Sequence, residues 1–339
     1  MTPERVLVTG AGGFIGSAIT RELLSDGHSV VALIEPGADT HALDGLDVEV
    51  VVGDLRDAAA VRKAVVGCQS VFHVAALYRF WSRDPREFYD INVGGTRNVL
   101  AAARDEAVER VVYTSTVGTL GLDHDRPASE LDYPDVSHLF GSYKRSKYVA
   151  EHEVLRACAE GLPVVLALPT YPIGPGDRAP TPSGRLVVDF LNGRVPGYVD
   201  TVLNVVHVHD VARGHLLARE LGSNGRSYIF GGENYTMQQL LAALAQVTGL
   251  PEPRLHVPKS VSLAAAYASE FVEGRLLRRR PHVPLEGARM STTRMAFDDS
   301  RARTELGYAP RPAIEAITES ARWYIDNGFV TPSRLARIR

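Results

Sequence analysis

The chain has 339 residues, 45% of them hydrophobic and 23% charged, with a formal net charge of −3. That length accommodates one large domain or two modest ones, and the composition is that of a globular protein. The near-neutral balance gives no bulk electrostatic case for a nucleic-acid partner, and no apolar run is long enough for a membrane span.

The first predicted strand is Arg5–Thr9, short, apolar and rich in β-branched residues. Gly10-Ala11-Gly12-Gly13-Phe14-Ile15-Gly16 follows, and helical periodicity then runs over 17–25 through Ile19, Leu23 and Leu24. Strand, glycine turn and helix in this order form a dinucleotide-binding pattern. Gly10 permits the tight turn, Gly13 lets the backbone approach a pyrophosphate, and Gly16 lets the helix pack close to the strand. The helix N-terminus supplies free N–H groups and a positive dipole end, so Phe14 and Ile15 are counted among the cofactor contacts. The second strand, 29–34, ends at Glu35. An acidic residue there would hydrogen-bond the adenosine ribose hydroxyls and repel a 2′-phosphate. No Arg or Lys follows over 36–41, so NAD is expected in preference to NADP.

Further strands are predicted at 48–52, 70–74, 110–114 and 164–168, alternating with helices at 57–66, 85–104 and 143–160. This alternation implies an α/β fold, a doubly wound parallel sheet of Rossmann type, with functional groups at the carboxyl ends of the strands. Prolines and glycines crowd 169–184, which reads as a long functional loop. Beyond it, 204–208 and 227–230 read as strands, at least one of which should rejoin the first sheet. Helices are expected at 236–248, 261–277 and 313–327. The expected division is an NAD-binding domain over 1–170, with 204–230 returning to it. A smaller mixed α/β C-terminal substrate lobe would comprise 171–203 and 231–339.

Tyr143 and Lys147 lie four apart on the helix at 143–160 and so share a face. A free tyrosine titrates near ~10 and is a poor base at neutral pH. A neighbouring ammonium would lower that value and suit the phenol to an alcohol/ketone pair. Thr116, upstream, offers a partner hydroxyl. Tyr-x-x-x-Lys on its own is also met as an ordinary helix face.

Cys68 and Cys158 sit in apolar segments and read as core thiols, which fits a reducing cytosol. The chain enters a strand without a signal sequence, so a cytoplasmic location is expected. In His207-Val208-His209-Asp210, alternation puts both histidines on one side of a strand without a third ligand, and no metal is expected. The basic run at 275–280 reads as a solvated helix end, with a phosphate-bearing substrate or an anionic surface as the alternative.

These motifs resemble those of an extended short-chain dehydrogenase/reductase: Thr9-Gly10-x-x-Gly13-x-x-Gly16, Gly53-Asp54-Leu55, His73-Val74-Ala75-Ala76, Asn92-Val93-x-Gly95-Thr96, Thr114-Ser115-Thr116, Tyr143-x-x-x-Lys147 and His207-Val208-x-Asp210-Val211-Ala212. Within that family the chain is most similar to the hopanoid-associated sugar epimerases, themselves similar to dihydroflavonol 4-reductases. The closer match rests on 75–81, 141–147, 180–185, 198–201 and 231–234.

The resemblance implies roles. Tyr143 would be the acid/base, Lys147 would bind the nicotinamide ribose and lower the phenol pKa, and Thr116, standing where Ser is usual, would hold the reacting oxygen. Asp54 and Leu55 would contact adenine. Ala75, Ala76 and Leu77 would line the cofactor, as would Thr114. Asn92 would fix the backbone near the site or make a purely structural bond. Pro169 and the residues through Ile173 would cover the nicotinamide. Two departures stand out. Glu35 replaces the Arg of NADP-using reductases, and Tyr171 replaces an Asn that helps 4-epimerases hold a sugar nucleotide, which weakens a UDP-sugar reading. Tyr78, Phe80, Trp81 and Tyr171 suggest a flat or apolar substrate part, or lobe packing. Arg83, Arg185 and His209 are candidate polar contacts.

The expected activity is NAD-dependent hydride transfer at a secondary alcohol or ketone of a small sugar-like or hydroxy-ketone substrate. A ketone retained and reduced from its other face gives a sugar epimerase-like enzyme. A released ketone gives a reductase or alcohol dehydrogenase of the dihydroflavonol-reductase or 3β-hydroxysteroid-dehydrogenase type. A non-catalytic dinucleotide sensor is the contrasting class. A homodimer paired through 85–104 and 143–160 is also expected.

Overall fold

The computed structural model describes residues 3–122, 125–277, 279, 281, 282 and 284–338. Its centre is a seven-stranded sheet built from β1 (Arg5–Thr9), β2 (Ser29–Ile34), β3 (Val48–Val52), β4 (Ser70–His73), β5 (Arg110–Thr114), β6 (Val164–Pro169) and the strand Ser227–Phe230. Across the sheet the order is Ser227–Phe230, β6, β5, β4, β1, β2, β3, with every neighbour parallel. Of the two later strands read from the sequence, Ser227–Phe230 is the one that rejoins this sheet.

The strands alternate between two cores, as period-2 geometry requires. Val6 and Val8 of β1 face one core with Ile19 and Leu23, and Leu7 faces the other with Val61 and Val99. The order of connection reverses between β1 and β4, and in such sheets the crevice at the reversal receives the ligand. The glycine turn after β1 and residues 74–77 after β4 flank that crevice.

The helix expected at 85–104 is a composite. It consists of α3 (Arg86–Tyr89), a wider π-wound stretch at Asp90–Gly95, and α4 (Thr96–Asp105); here α1 is Phe14–Ser25 and α2 is Ala58–Val65. Thr96 Oγ1 donates to the Asn92 carbonyl at 2.6 Å, while the Asn92 side chain turns out of the helix towards Leu77 and Ser146. Such π bulges concentrate where a side chain is needed away from the regular helical position. The catalytic-motif helix, α5, is Ser142–Ala159.

Two other expectations need correction. The stretch 169–184 is not all loop: Tyr171–Ile173 is a strand, and a helix begins at Pro182. That strand pairs with Val202–His207, which in turn pairs antiparallel with Glu233–Thr236, forming a second sheet. The alternation read through His207-Val208-His209 also fails. The strand stops at His207, whose Nδ1 accepts from the His209 amide at 3.1 Å and caps the helix Val208–Leu221. Both cysteines are free, with Cys68 buried and Cys158 only partly so. Arg278 and Arg280 of the basic run lie outside the described residues.

Candidate active site

The glycine turn has the shape its sequence implies. Gly10 holds a left-handed φ of 69°, and a Cβ there would come within 2.9 Å of Ala75 Cα. A Cβ on Gly16 would overlap the Gly10 carbonyl oxygen. Gly13 begins α1, and no side chain caps that end, so its dipole and amides face the crevice. Phe14 and Ile15 open this helix. Glu35 is exposed at the end of β2. Arg56 is close enough to feel its charge, although it is bonded to both oxygens of Asp54. That cation arrives from another loop, which a scan of 36–41 cannot reveal. Leu55 is buried and tucked against Gly95.

A hydrogen-bonded strut ties the turn to the opposite wall. Thr9 Oγ1 accepts from the amides of Val74 and Ala75, each at 3.1 Å, so its own proton goes to His73 Nδ1 at 2.8 Å. His73 Nε2–H then donates to Thr96 Oγ1 at 3.0 Å, and Thr96 donates to the Asn92 carbonyl. This proton order requires a neutral imidazole. Burial, reinforced by Lys147, indeed holds His73 down at about 3. From Asn92 the strut continues: Oδ1 accepts from the Leu77 amide at 2.7 Å, and Nδ2 donates to Ser146 Oγ at 2.9 Å. Ser146 in turn donates to the Tyr143 carbonyl at 2.8 Å.

Tyr143 is 7% exposed, its ring 4.8 Å from that of Tyr78. Burial raises its phenol well above the usual value, Tyr78 and Glu286 add to the rise, and the neighbouring Thr116 side chain opposes it. Thr116 Oγ1 accepts from the Gly118 amide at 3.1 Å, which leaves its proton free to donate. The expected lowering by Lys147 does not occur in the protein alone. Lys147 Nζ donates to the Thr114 carbonyl at 2.7 Å and sits 4.3 Å from the Tyr113 ring centre. Burial pushes its ammonium down to about 7, against the pull of Glu151. The Thr114 hydroxyl faces away, towards His215 Nε2 at 3.0 Å.

Sequence reasoning missed Glu286, on the helix Leu285–Thr292. It is a buried residue whose carboxyl sits at the start of α5 beside Tyr143 and Lys144, with Oε1 buried and without a hydrogen-bond partner among the described residues. It occupies the space a side chain on Gly141 would need, and Gly141 has a φ of 83°. That glycine is its one trace in the sequence. Burial raises Glu286 to about 7, although the backbones of Tyr143 and Lys144 and the Lys144 ammonium oppose the rise. A carboxyl raised from 4.5 binds its proton more tightly when folded, so its contribution to stability is full below about 4.5 and is lost as pH rises through about 7. Glu286→Gln mimics the protonated form. Its denaturant midpoint should match the parent near pH 4.5 and exceed it above pH 7. A constant difference across that range would contradict this reading.

Beside α5 lies a cavity of about 290 Å³ lined by Phe80, Trp81, Phe88, Phe140 and Leu285 and also by Ser82, Ser142, Glu270, Glu286 and Arg289. Tyr78 links it to the phenol, its ring 5.8 Å from Phe80. Tyr171 Oη donates to the Ser183 carbonyl at 3.2 Å. Asp177, also missed, is 2% exposed and accepts from the Thr181 hydroxyl at 2.7 Å and Tyr324 Oη at 2.8 Å, which ties down the segment after Pro169. Arg185 is exposed, near Asp177. His209 is not brought to this site: its Nδ1 lies 3.4 Å from Glu22 of α1.

The model of the NAD dependent epimerase/dehydratase family matches residues 6–231, two-thirds of the chain. The chain belongs to that family. A putative dihydroflavonol 4-reductase of Synechocystis sp. is 41% identical over 328 residues, covering 95% of each chain. Sterol demethylase protein B of Methylococcus capsulatus is 35% identical over 325 residues, covering 96% of this chain and 99% of the relative. The crystal structure of gox2253 superposes with a TM-score of 0.86 at 42% identity, covering 97% of this chain and all of that one. As a member of the epimerase/dehydratase family the chain is an enzyme of oxidoreductase or epimerase type, and its cofactor is NAD. The glycine cradle and the uncapped start of α1 fit that cofactor.

Proposed function

We propose that the protein interconverts a secondary alcohol and a ketone on a largely apolar small molecule, with Thr116, Tyr143 and Lys147 as the reacting set. NAD, when bound, accepts or returns the hydride. Thr116 orients the substrate oxygen, Tyr143 exchanges a proton with it, and Lys147 holds the ribose side of the site. The observation that carries this reading is the convergence of buried Tyr143, buried Lys147 and Thr116 where β5 ends, with Lys147 Nζ on the Thr114 carbonyl at 2.7 Å. The raised pKa of the Tyr143 phenol makes it a neutral proton donor at rest, which suits ketone reduction. Relatives named for a dihydroflavonol and a sterol support an apolar substrate part, and Phe80, Trp81, Phe88 and Phe140 offer it an aromatic wall in the neighbouring cavity, alongside polar groups.

A second reading, the self-recycling epimerase, has its own support. Arg178, in the segment after β6, reaches Asp39 in the loop after β2 at 3.7 Å, and the Asp39 carbonyl packs on Gly12. Such a clasp over the glycine turn would retain the nucleotide between turnovers.

The proposal extends to the remaining roles. Glu35 and Asp54 would serve the adenosine end, and Ala75, Ala76, Leu77 and Pro169 the walls of the crevice. Residues 1–170, with part of 204–230, would form the cofactor domain, and 171–203 with 231–339 the substrate lobe. A cytoplasmic homodimer through the helices at 85–104 and 143–160 is part of the same reading, and Val149 and Leu155 are exposed on α5. Mass spectrometry of nucleotide released from freshly denatured protein tests the choice. An empty site is expected for a reductase that exchanges cofactor. Stoichiometric NAD would favour the epimerase, and recovered NADP would overturn the role of Glu35.

A further inference from the structure

The helix Lys259–Ser269 and the π-wound stretch Glu270–Leu276 that continues it are inside out. Val261, Phe271, Val272 and Leu276 are 46–64% exposed, and Ala264, Ala265 and Ala268 fill the outer face between them. The spacing is that of one helical stripe. The acidic residues point inward instead. Glu270 accepts from the Leu285 amide at 2.9 Å, and buried Glu273 binds Ser269, Arg279 and His282. A soluble helix normally has the reverse arrangement, and contiguous exposed apolar surface marks an interaction site.

The C-terminal end of the stripe is cationic. Arg275 and Arg279 are exposed there, and the sequence continues the run with Arg278 and Arg280. The same element roofs the aromatic cavity: Glu270 lines it, and the Trp81 indole nitrogen lies 3.2 Å from where a Cβ on Gly274 would sit.

We propose that this face docks on an anionic lipid bilayer, lying in its surface with the arginines among the headgroups. Apolar residues on one side and arginines at the rim are what an interfacial helix requires. A second copy of the chain is the competing occupant, and the light-scattering outcome decides for or against it. No helix among the described residues is long and apolar enough to cross a membrane, so the contact is peripheral. Delivery of an apolar substrate from lipid into the cavity below would follow, and only that consequence rests on the proposed function.

Sedimentation of the full-length protein with vesicles tests the docking directly. Binding to an equal mixture of phosphatidylglycerol and phosphatidylcholine should exceed binding to phosphatidylcholine alone by roughly tenfold or more. The double variant Phe271→Ser/Leu276→Ser should lose that binding with an unchanged melting temperature, and Arg275→Glu should weaken its dependence on the anionic lipid. Protein that stays in the supernatant with both vesicle types would overturn the proposal. So would light scattering showing that the serine variant breaks a dimer without any vesicle binding by the parent. Loss of vesicle binding with intact turnover of a water-soluble alcohol would separate docking from catalysis. Failure of turnover alone would count against the proposed function and not against the docking.

Discussion

Tyr143→Phe is expected to lower kcat by about a thousandfold while NAD affinity is retained. The substitution removes the one buried phenolic oxygen that would exchange a proton with the substrate oxygen. The ring itself should not move. Its backbone is held through Ser146 by Asn92, and its face rests against Tyr78. Initial rates at 340 nm, alongside NAD titration by fluorescence quenching, separate chemistry from binding. Turnover within threefold of the parent would remove Tyr143 from the reaction and reopen the dinucleotide-sensor reading. Thr116→Val is a useful companion: it keeps the shape and deletes the hydroxyl beside the phenol.

The strand framework was legible because each parallel strand is a short apolar run closed by a turn residue; β1, β2, β3 and β5 start and stop where the sequence puts them. Helices were legible where their caps are local, as at Thr236, whose side chain and that of Gln239 form a reciprocal cap. What could not be read depends on distant partners. The π winding at Asp90–Gly95 follows from Asn92 reaching Leu77 and Ser146. The strand at Tyr171–Ile173 exists because Val205 to His207 lie alongside it. The Tyr143 and Lys147 pair was visible as spacing, but the state of the phenol was not. Burial by Tyr78 and a carboxyl from residue 286 decide it, and no spacing rule connects 286 to 143.

Gly16→Val should be the most damaging single change to the fold, at about 3 kcal/mol or more, and it should abolish NAD binding. The reason is what a side chain there would meet. A Cβ on Gly16 would overlap the Gly10 carbonyl oxygen and lie within 3.1 Å of Ala11 Cα. These are backbone atoms of the turn, not the far end of a flexible side chain, so α1 would have to lift away from β1. Lifting it would strip Ala18, Ile19 and Leu23 from the core they share with Val6 and Val8. Gly13→Ala provides the contrast. Its Cβ would lie 3.2 Å from the Gly10 oxygen, and its φ of −80° is open to any residue. It should cost about 1 kcal/mol or less in stability, yet still weaken NAD binding, because the added methyl sits where the backbone approaches the pyrophosphate. Denaturant midpoints and NAD titrations of the two variants therefore separate the packing role of one glycine from the ligand-facing role of the other. Equal losses of stability in both would show that the turn acts as one rigid unit, and that division of roles would be wrong.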